Sequence, residues 1–210
     1  GLLCHVADRV LCVSEVDRDH LQRTFRLPAD RFLVIPNGAD VVGRQARQVD
    51  RRATREALGL PLDRPLALFF GTLTHKPNEQ AAWTILEELI PRLQALGKRV
   101  DVVMAGRGDT RALRARALDL AADVHFLGYV DDIEALIKSC DVTIAPLTAG
   151  SGTRLKIIES VACGVPVVST TVGAEGLRLD ILDGLVSVTD DWDDFAQHVV
   201  ALVDSPQATG

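Results

Sequence analysis

The sequence predicts an α/β protein built on a doubly wound parallel sheet, and two features of the chain lead to this prediction. Short runs rich in leucine and β-branched residues alternate with longer runs in which apolar residues recur at helical spacing. Such alternation is typical of parallel strands that are joined by helical crossovers. With 210 residues, of which 47% are hydrophobic, the chain suffices for one large domain of this class, or for one domain and part of another.

The elements can be assigned in order along the chain. The apolar runs predict strands at 9–14, 32–35, 66–70, 100–105, 124–127, 142–145, 165–169 and 184–188. Helical spacing predicts helices at 15–25, 51–58, 78–96, 110–120, 133–138, 154–163 and 193–203. Ligands of a doubly wound sheet bind beyond the carboxyl ends of its strands. The site is therefore expected in four loops that follow strands, at 71–77, 106–109, 128–132 and 147–153.

The first part of the chain differs from the rest. A strand and a helix lead to the turn signal Pro36-Asn37-Gly38 and to an arginine-rich stretch that runs to Asp50. We interpret 1–25 as the tail of a preceding domain that the chain mostly lacks, 26–49 as an interdomain turn and linker with its hinge at 35–49, and 50–210 as the main domain. Solvent-exposed arginines are expected at positions 44, 47, 51, 52 and 55.

Composition excludes several functions. A formal net charge of −6 argues against a general affinity for nucleic acid or for anionic membranes. No apolar run approaches the length of a membrane span, and no signal peptide is visible. The cysteines at positions 4, 12, 140 and 163 form no CxxC pair and have no histidine at metal-ligand spacing, so we expect free thiols, no metal site and a cytoplasmic location.

The loop Ala149-Gly150-Ser151-Gly152-Thr153 joins a predicted strand to a predicted helix and is the most informative motif. Unpaired N–H groups and the helix dipole favour an anion at such a helix start, and glycine lets the main chain approach it closely. Arg154 and Lys156 are candidates to contact phosphate oxygens, and Glu159 is a candidate to accept hydrogen bonds from sugar hydroxyls. The alternative is a surface pair of Lys156 and Glu159 three residues apart on the helix.

Two further loops carry weaker signals. Gly71 and Lys76 lie between a strand and a helix, where Lys76 could offer a point charge to a diphosphate. Gly106-Arg107-Gly108 matches part of a dinucleotide-binding fingerprint, but its third glycine is replaced by Arg111. The acidic pairs at 131–132 and 190–191 each begin a predicted helix, which favours helix capping over metal binding.

In their shared order these motifs resemble the C-terminal, donor-binding half of a GT-B glycosyltransferase of the large retaining group 1 family. The resemblance covers nearly the whole chain and is carried by the turn at 36–40, by the glycines at 71, 106, 108 and 128, and most specifically by the segments 152–159 and 162–168. It implies a Rossmann-like domain that binds a UDP-, GDP- or ADP-sugar as substrate, with no other cofactor, and that transfers the sugar without a metal ion.

The resemblance also implies roles for individual residues. Glu159 matches the second glutamate of the family's E-x7-E motif, which binds ribose, whereas Ser151 stands where the first glutamate contacts the sugar. Thr72 stands where many relatives have arginine, so Arg154 and Lys156 are expected to supply the missing positive charge. The catalytic candidates are Glu159 and Lys76. The implied donor-binding residues are Gly71, Thr72, Lys76, Gly106, Gly128, Tyr129, Gly150, Ser151, Gly152, Thr153, Arg154, Lys156 and Glu159.

In this family the acceptor and a catalytic histidine belong to the N-terminal domain, so residues 1–210 alone are expected to bind donor but scarcely to transfer sugar. Peripheral contact with a membrane stays open. Three alternatives also stay open: a non-catalytic nucleotide-sugar-binding module, a nucleotide-sugar 2-epimerase or phosphorylase of the same two-domain fold, and a dehydrogenase-type dinucleotide domain. The incomplete glycine fingerprint disfavours the last of these.

Overall fold

The structure is a computed structural model that describes residues 2–150, 154–182 and 184–204. Every strand pairing in it is parallel, which confirms the predicted α/β class. The strands are β1 Val10–Cys12, β2 Phe32–Val34, β3 Leu66–Phe70, β4 Asp101–Ala105, β5 Val124–Gly128, β6 Val142–Ala145, β7 Val167–Ser169 and β8 Val186–Val188. All eight lie where the sequence predicts them.

Helices precede, separate and follow the strands. They are α1 Leu2–Val6, α2 Glu15–Phe25, α3 Val41–Ala46, α4 Arg51–Ala57, α5 Lys76–Thr84, α6 Ile90–Ala95, α7 Arg111–Asp119, α8 Ile133–Ser139, α9 Leu155–Ala162 and α10 Trp192–Asp204. Short 3-10 turns lie at Ala29–Arg31 and Leu179–Ile181. The sequence patterns did not predict α1 or α3, which span only five and six residues.

The six-stranded sheet has the strand order β5-β4-β3-β6-β7-β8. Its first strand along the chain, β3, therefore lies in the middle, with β4 on one side and β6 on the other. At this point the connections that follow β3 and β6 run toward opposite ends of the sheet, so their loops diverge and leave a crevice. The topology thus places the loops after β3 and β6 on opposite sides of one opening.

The core lies on both faces of this sheet, and alternate residues of the central strand supply the two sides. Phe69 belongs to a cluster that packs against α5, α6 and α10, whereas Leu68 and Phe70 belong to a cluster that includes Leu136 of α8. Every residue of β3, β4 and β6 is buried. Such burial explains why these strands appear in the sequence as continuous apolar runs.

β1 and β2 form a separate two-stranded sheet. Its small core contains Cys12, Leu27 and Phe32, with Leu21 and Phe25 packed against it. The first strands therefore do not extend the large sheet, in agreement with the different character of this part of the sequence.

The predicted helix 78–96 is wrong as a single regular helix. Between α5 and α6 the chain forms a π-helical turn at Ile85–Leu89, in which the N–H of Ile90 donates to the carbonyl of Ile85. Pro91 has no N–H to continue the α-helical pattern, and its ring would clash with the carbonyl four residues before it. A widened turn relieves both problems.

The segment interpreted as a linker contains α3, which is attached to the main domain. Arg44 and Arg47 lie within ion-pair distance of Glu134 on α8, at 3.8 and 3.7 Å. Arg47 also pairs with Asp132, and the Lys138 ammonium donates to the carbonyl of Arg44. The expectation of solvated arginines is therefore wrong for Arg44, whose side chain is three-quarters buried.

The same expectation is wrong for Arg55, which is buried. Its guanidinium donates to Asp141 Oδ2 at 2.9 Å, to the carbonyl of Ser139 at 2.8 Å and to the carbonyl of Arg64 at 3.0 Å. Asp141 Oδ2 also accepts from the N–H of Leu66, the first residue of β3, at 2.7 Å. The carboxylate of Asp141 therefore fixes α4 to the start of the central strand.

We expect Asp141→Ala to lower the free energy of unfolding by about 3–5 kcal/mol, because it leaves the Arg55 guanidinium buried without its carboxylate. Chemical denaturation monitored by circular dichroism measures this. Asp180→Ala, which removes an exposed ion pair with Arg178, is the control and should leave stability nearly unchanged. Equal stability of the two variants would contradict the role given to Asp141.

Candidate functional site

Three of the glycine turns predicted to form the site are joined by backbone hydrogen bonds at the carboxyl edge of the sheet. The N–H of Gly71 donates to the carbonyl of Ala105 at 2.9 Å, and the N–H of Gly106 donates to the carbonyl of Gly128 at 2.6 Å. Two residues after Gly71, the N–H of Leu73 donates to the carbonyl of Arg107 at 2.7 Å. The loops after β3, β4 and β5 therefore form one continuous backbone surface.

Glycine is required where these turns touch. A Cβ atom on Gly106 would lie 2.0 Å from the carbonyl oxygen of Gly71, and one on Gly108 would lie 2.6 Å from Cβ of Leu73. Gly106 also has a φ of 147°, which side-chain-bearing residues rarely adopt. The incomplete dinucleotide fingerprint thus has a structural explanation, because its two glycines let one turn lie against its neighbour.

A cleft of about 410 Å³ opens over this surface. Its lining includes four predicted residues, Gly71, Thr72, Gly106 and Tyr129. The Arg107 guanidinium lies 4.4 Å from the centre of the Tyr129 ring, which is 60% exposed. Sequence reasoning missed Arg107 as a lining residue, since it treated only the flanking glycines as a motif. The remaining lining residues are Phe70, Ala105, Val130, Asp131 and Ile133.

The loop after β6 approaches the start of α5 from the other side of the crevice. A Cβ atom on Gly150, which has a φ of 111°, would lie 2.9 Å from Arg154 Nη2 and 3.2 Å from Pro77 Cγ. The two strand-to-helix loops that the sequence singles out therefore approach each other at this one point across the crevice. Ser151, Gly152 and Thr153, three of the predicted binding residues, lie outside the described residues.

Lys156 points into the protein and does not form the surface pair with Glu159 that the sequence left open. Its Nζ donates to Asn78 Oδ1 at 3.0 Å and lies 4.3 Å from the centre of the Phe69 ring. Within the described part of the chain, no carboxylate lies within ion-pair distance of this ammonium. Lys156 of α9 thus contacts both β3 and α5 across the crevice.

Burial disfavours the charged forms of both basic residues here. Burial, and then the neighbouring Arg154 charge, lower the pKa of Lys156 to about 7. Burial also lowers the pKa of Arg154, although the carboxylates of Glu175 and Asp17 act in the opposite direction. An arginine stays protonated regardless. Because burial removes water from these basic groups, an anion placed near them would be favoured.

Asn78 is a site residue that sequence reasoning missed. Its Nδ2 donates to the carbonyl of Thr72 at 3.0 Å, while its Oδ1 accepts from Lys156. A Cβ on Gly71 would lie 2.8 Å from the same Nδ2. The signal in the sequence is the Pro77-Asn78 pair at a helix start, which by itself indicates only a helix boundary.

The other two predicted residues lie on the helices that follow β3 and β6. Lys76 is exposed at the first residue of α5, and Glu159 is partly buried on α9. Their roles stay predictions.

One residue of each acidic pair caps a helix, as expected. Asp132 accepts from the N–H of Ala135, and Asp191 accepts from the N–H groups of Asp193 and Asp194. Among the described residues, no group of three or more His, Cys, Asp and Glu side chains is arranged to hold a metal ion. The four cysteines are free thiols, as predicted. No helix in the described ranges is both long and apolar enough to cross a membrane.

Comparison with protein families gives the class of protein. The sequence model described as "Glycosyl transferases group 1" matches residues 64–205, and that described as "Glycosyltransferase Family 4" matches residues 2–42. The first match covers more than half of the chain. The chain therefore belongs to the group 1 glycosyltransferases, as the sequence motifs indicate.

Individual relatives agree with this assignment. The chain is 33% identical over 180 residues to a phosphatidyl-myo-inositol mannosyltransferase of Mycolicibacterium smegmatis, covering 82% of this chain and 43% of that protein. It is 29% identical over 213 residues to D-inositol 3-phosphate glycosyltransferase 2 of Catenulispora acidiphila, covering 95% of this chain and 49% of that protein. The chain thus spans about half the length of the curated relatives it matches.

Solved structures show the same fold. Anabaena HepE in complex with UDP-glucose has a TM-score of 0.78 at 22% identity, with 97% of this chain and 56% of that chain covered. WaaG, a glycosyltransferase involved in lipopolysaccharide biosynthesis, has a TM-score of 0.73 at 18% identity, with 94% of this chain and 54% of that chain covered. These likenesses confirm the Rossmann-like half of a GT-B fold.

We expect Gly106→Ala to lower the free energy of unfolding by at least about 2 kcal/mol, because its Cβ forces the turns after β3 and β4 apart. Gly97→Ala is the matched control, since Gly97 also has a positive φ, of 68°, but no atom within 4 Å of the added Cβ. Thermal denaturation of both variants measures the difference. An equal loss of stability would mean that backbone strain, and not the contact between the turns, accounts for the effect.

Lys156 should also give the fold a pH dependence. Its pKa in the folded chain, about 7, lies below the ordinary value of 10.5, so the unfolded chain binds more protons between these limits. Its contribution to unfolding free energy therefore rises with pH there, by up to about 1.4 kcal/mol per unit.

The measurement compares wild type with Lys156→Met by denaturant titration from about pH 7 to about pH 9. Wild type should gain stability relative to the variant as the pH rises. Lys98→Met, which removes an exposed lysine paired with Asp204, should show no such trend. A wild-type advantage that stays constant across this range would contradict the lowered pKa.

Proposed function

We propose that this chain is the donor-binding part of a retaining glycosyltransferase that uses a nucleotide diphosphate sugar and needs no metal ion. The observation that carries the proposal is the crevice between β3 and β6. Glycine turns form its floor, and the partly buried basic side chains of Arg154 and Lys156 lie beside it. The complexes of HepE with UDP and with UDP-glucose support a donor of this class.

The arrangement suggests how the donor would bind. A diphosphate is a compact dianion, and the α5 and α9 helix starts, the open glycine turns and the two basic side chains all favour such a group in the crevice. The 410 Å³ cleft beside Tyr129 would take the nucleoside. Glu159 would accept hydrogen bonds from the ribose hydroxyls. Lys76, at the start of α5, would approach the diphosphate from the solvent side.

The same charges would serve transfer of the sugar. Cleavage of the sugar–phosphate bond leaves the negative charge of a nucleoside diphosphate on the leaving group. Fixed positive groups stabilise this developing charge without having to reorganise, because the fold already holds them in place. In this proposal Arg154 and Lys156 perform the task that a divalent cation performs in other transferases. The acceptor would bind to an N-terminal domain.

We also propose that the enzyme works in a reducing, cytoplasmic compartment. The observation in favour is that Cys12, Cys140 and Cys163 are buried free thiols, and burial raises the pKa of Cys140 to about 12. Such thiols behave as small apolar side chains. Their arrangement agrees with a protein that does not depend on disulfides.

Calorimetric titration of the chain with UDP-glucose, GDP-mannose, ADP-glucose and NAD tests the donor class. We expect at least one nucleotide sugar to bind, and Arg154→Ala combined with Lys156→Ala to weaken it at least about a hundredfold, because two charge-assisted contacts are lost. Lys98→Ala combined with Arg99→Ala removes the same net charge at the opposite edge of the sheet and should bind normally. Unchanged affinity of the first double variant would refute these roles.

Binding of NAD in preference to the nucleotide sugars would favour a dinucleotide-binding domain instead. A full-length protein that binds donor but transfers no labelled sugar to any acceptor would favour a silent binding module.

A further inference from the structure

The side chain of Asn78 links the two halves of the crevice. Asn78 is the third residue of α5, the helix that follows β3. Its Oδ1 accepts a hydrogen bond from the ammonium of Lys156, which lies on α9, the helix that follows β6. Its amide nitrogen holds the carbonyl of Thr72 in the turn after β3. One amide group therefore connects a cation on one side of the topological switch to the backbone turn on the other.

The ammonium fixes the orientation of this amide. Lys156 can only donate hydrogen bonds, so the atom of Asn78 that faces it must be the oxygen. The nitrogen is then directed to the Thr72 carbonyl, which can only accept. A neutral lysine would hold the amide oxygen more weakly than the ammonium does, because a charged donor forms the stronger hydrogen bond. The protonation state of Lys156 and the hold on the turn are therefore connected through one side chain.

The position of the turn matters because Gly71 lies directly against Asn78 and against Gly106. Asn78 Nδ2 lies 2.8 Å from the place that a Cβ of Gly71 would occupy, and the carbonyl oxygen of Gly71 lies 2.0 Å from the place that a Cβ of Gly106 would occupy. A shift of the turn after β3 would therefore disturb the surface that the glycine turns share. Asn78 acts on that surface without lining the cleft itself.

We propose that Asn78 is a positioning residue for the diphosphate site and that a nucleotide sugar binds there with uptake of one proton by Lys156. The inference rests on the proposed donor-binding function and adds to it a coupling between ligand and proton. The proton comes from the solvent and is added to Nζ, so that the bound state contains an ammonium beside the dianion. This N–H bond is the one covalent bond that forms on Lys156, and the sugar–phosphate bond of the ligand stays intact.

The surroundings of Lys156 support the coupling. β3 contributes the uncharged Phe69 ring and α5 contributes the uncharged Asn78, so neither element brings a carboxylate to the ammonium. Arg154 is the charged neighbour, and together with burial it keeps the pKa of Lys156 near 7 in the free protein. A bound diphosphate reverses this balance, because it brings negative charge close to both cations.

The sign of the effect follows from linkage. A pKa that rises on binding means that the complex holds more protons than the free protein, so affinity falls as the pH rises above the free pKa. We therefore expect donor affinity to be constant below about pH 6 and to fall by up to about tenfold per pH unit above about pH 7. The diphosphate diester of a nucleotide sugar has no ionisation in this range, so the ligand does not contribute.

The experiment titrates the chain with the tightest-binding nucleotide sugar among UDP-glucose, GDP-mannose and ADP-glucose. Calorimetry at about pH 8 in buffers of different ionisation enthalpy gives the number of protons taken up, which should approach about one in wild type. Lys156→Met should abolish the proton uptake because it removes the amine, and it should also weaken binding. Lys156→Arg should abolish the uptake because arginine is always charged.

Asn78 variants separate positioning from general stability. Asn78→Asp places a carboxylate against Lys156 and should move the fall in affinity to higher pH. Asn78→Ala removes the amide oxygen that accepts from Lys156, so the fall in affinity should move to lower pH. Affinity at about pH 6 should also be reduced roughly tenfold. Gln80→Ala, exposed on the same helix, should match wild type. His75→Gln should also keep the proton uptake, because His75 has no part in the proposal.

The outcomes are distinct. If no nucleotide sugar binds, the proposed function fails. If one binds without proton uptake, or if His75→Gln abolishes the uptake, Lys156 is not the coupled group. If both Asn78 variants lose stability but leave the pH profile unmoved, Asn78 is a structural residue only and the positioning role is wrong.

Discussion

The divergence of the connections after β3 and β6 is the constraint on which the rest of the structure depends. Because the chain begins the large sheet in its middle and extends it first to one edge and then to the other, adjacent central strands send their loops apart. The glycine turns, the start of α5 and the start of α9 all border the resulting crevice. Close packing of the turns then fixes its floor, since Gly71 and Gly106 approach more closely than a Cβ would allow.

A second consequence of this topology is electrostatic. The chain as a whole is acidic, with a net charge of −6, yet Arg154 and Lys156 are enclosed beside the crevice where burial lowers the pKa of both. A stable fold keeps such partly buried charges at a cost. An anionic ligand would offset that cost, which is why these two side chains carry the proposed function. Asn78 connects the Lys156 ammonium to the turn after β3, because its amide group hydrogen-bonds to both.

Most of the fold could be predicted from the sequence, because the strands of a parallel sheet that is buried on both faces are continuous apolar runs in the sequence. All eight strands were predicted within a few residues of their observed bounds. The failures came where a local signal was weak or ambiguous. α3 is short and contains a glycine, Gly43, and its docking depends on Glu134 and Lys138, which lie far away in the sequence. Pro91 was visible, but the π-helical turn that accommodates it was not predicted.

By itself the sequence determined the class of fold, the membership in the group 1 glycosyltransferases and the loops that border the candidate site, because strand runs, glycine turns and motif order are local properties of the chain. Only the tertiary structure decided what individual side chains do. Lys156 and Asn78 are 78 residues apart, and Arg55 reaches Asp141 across 86 residues. No local pattern distinguishes a lysine on the surface from one enclosed beneath a neighbouring turn, since that difference arises only when strands far apart in the chain become neighbours in the sheet.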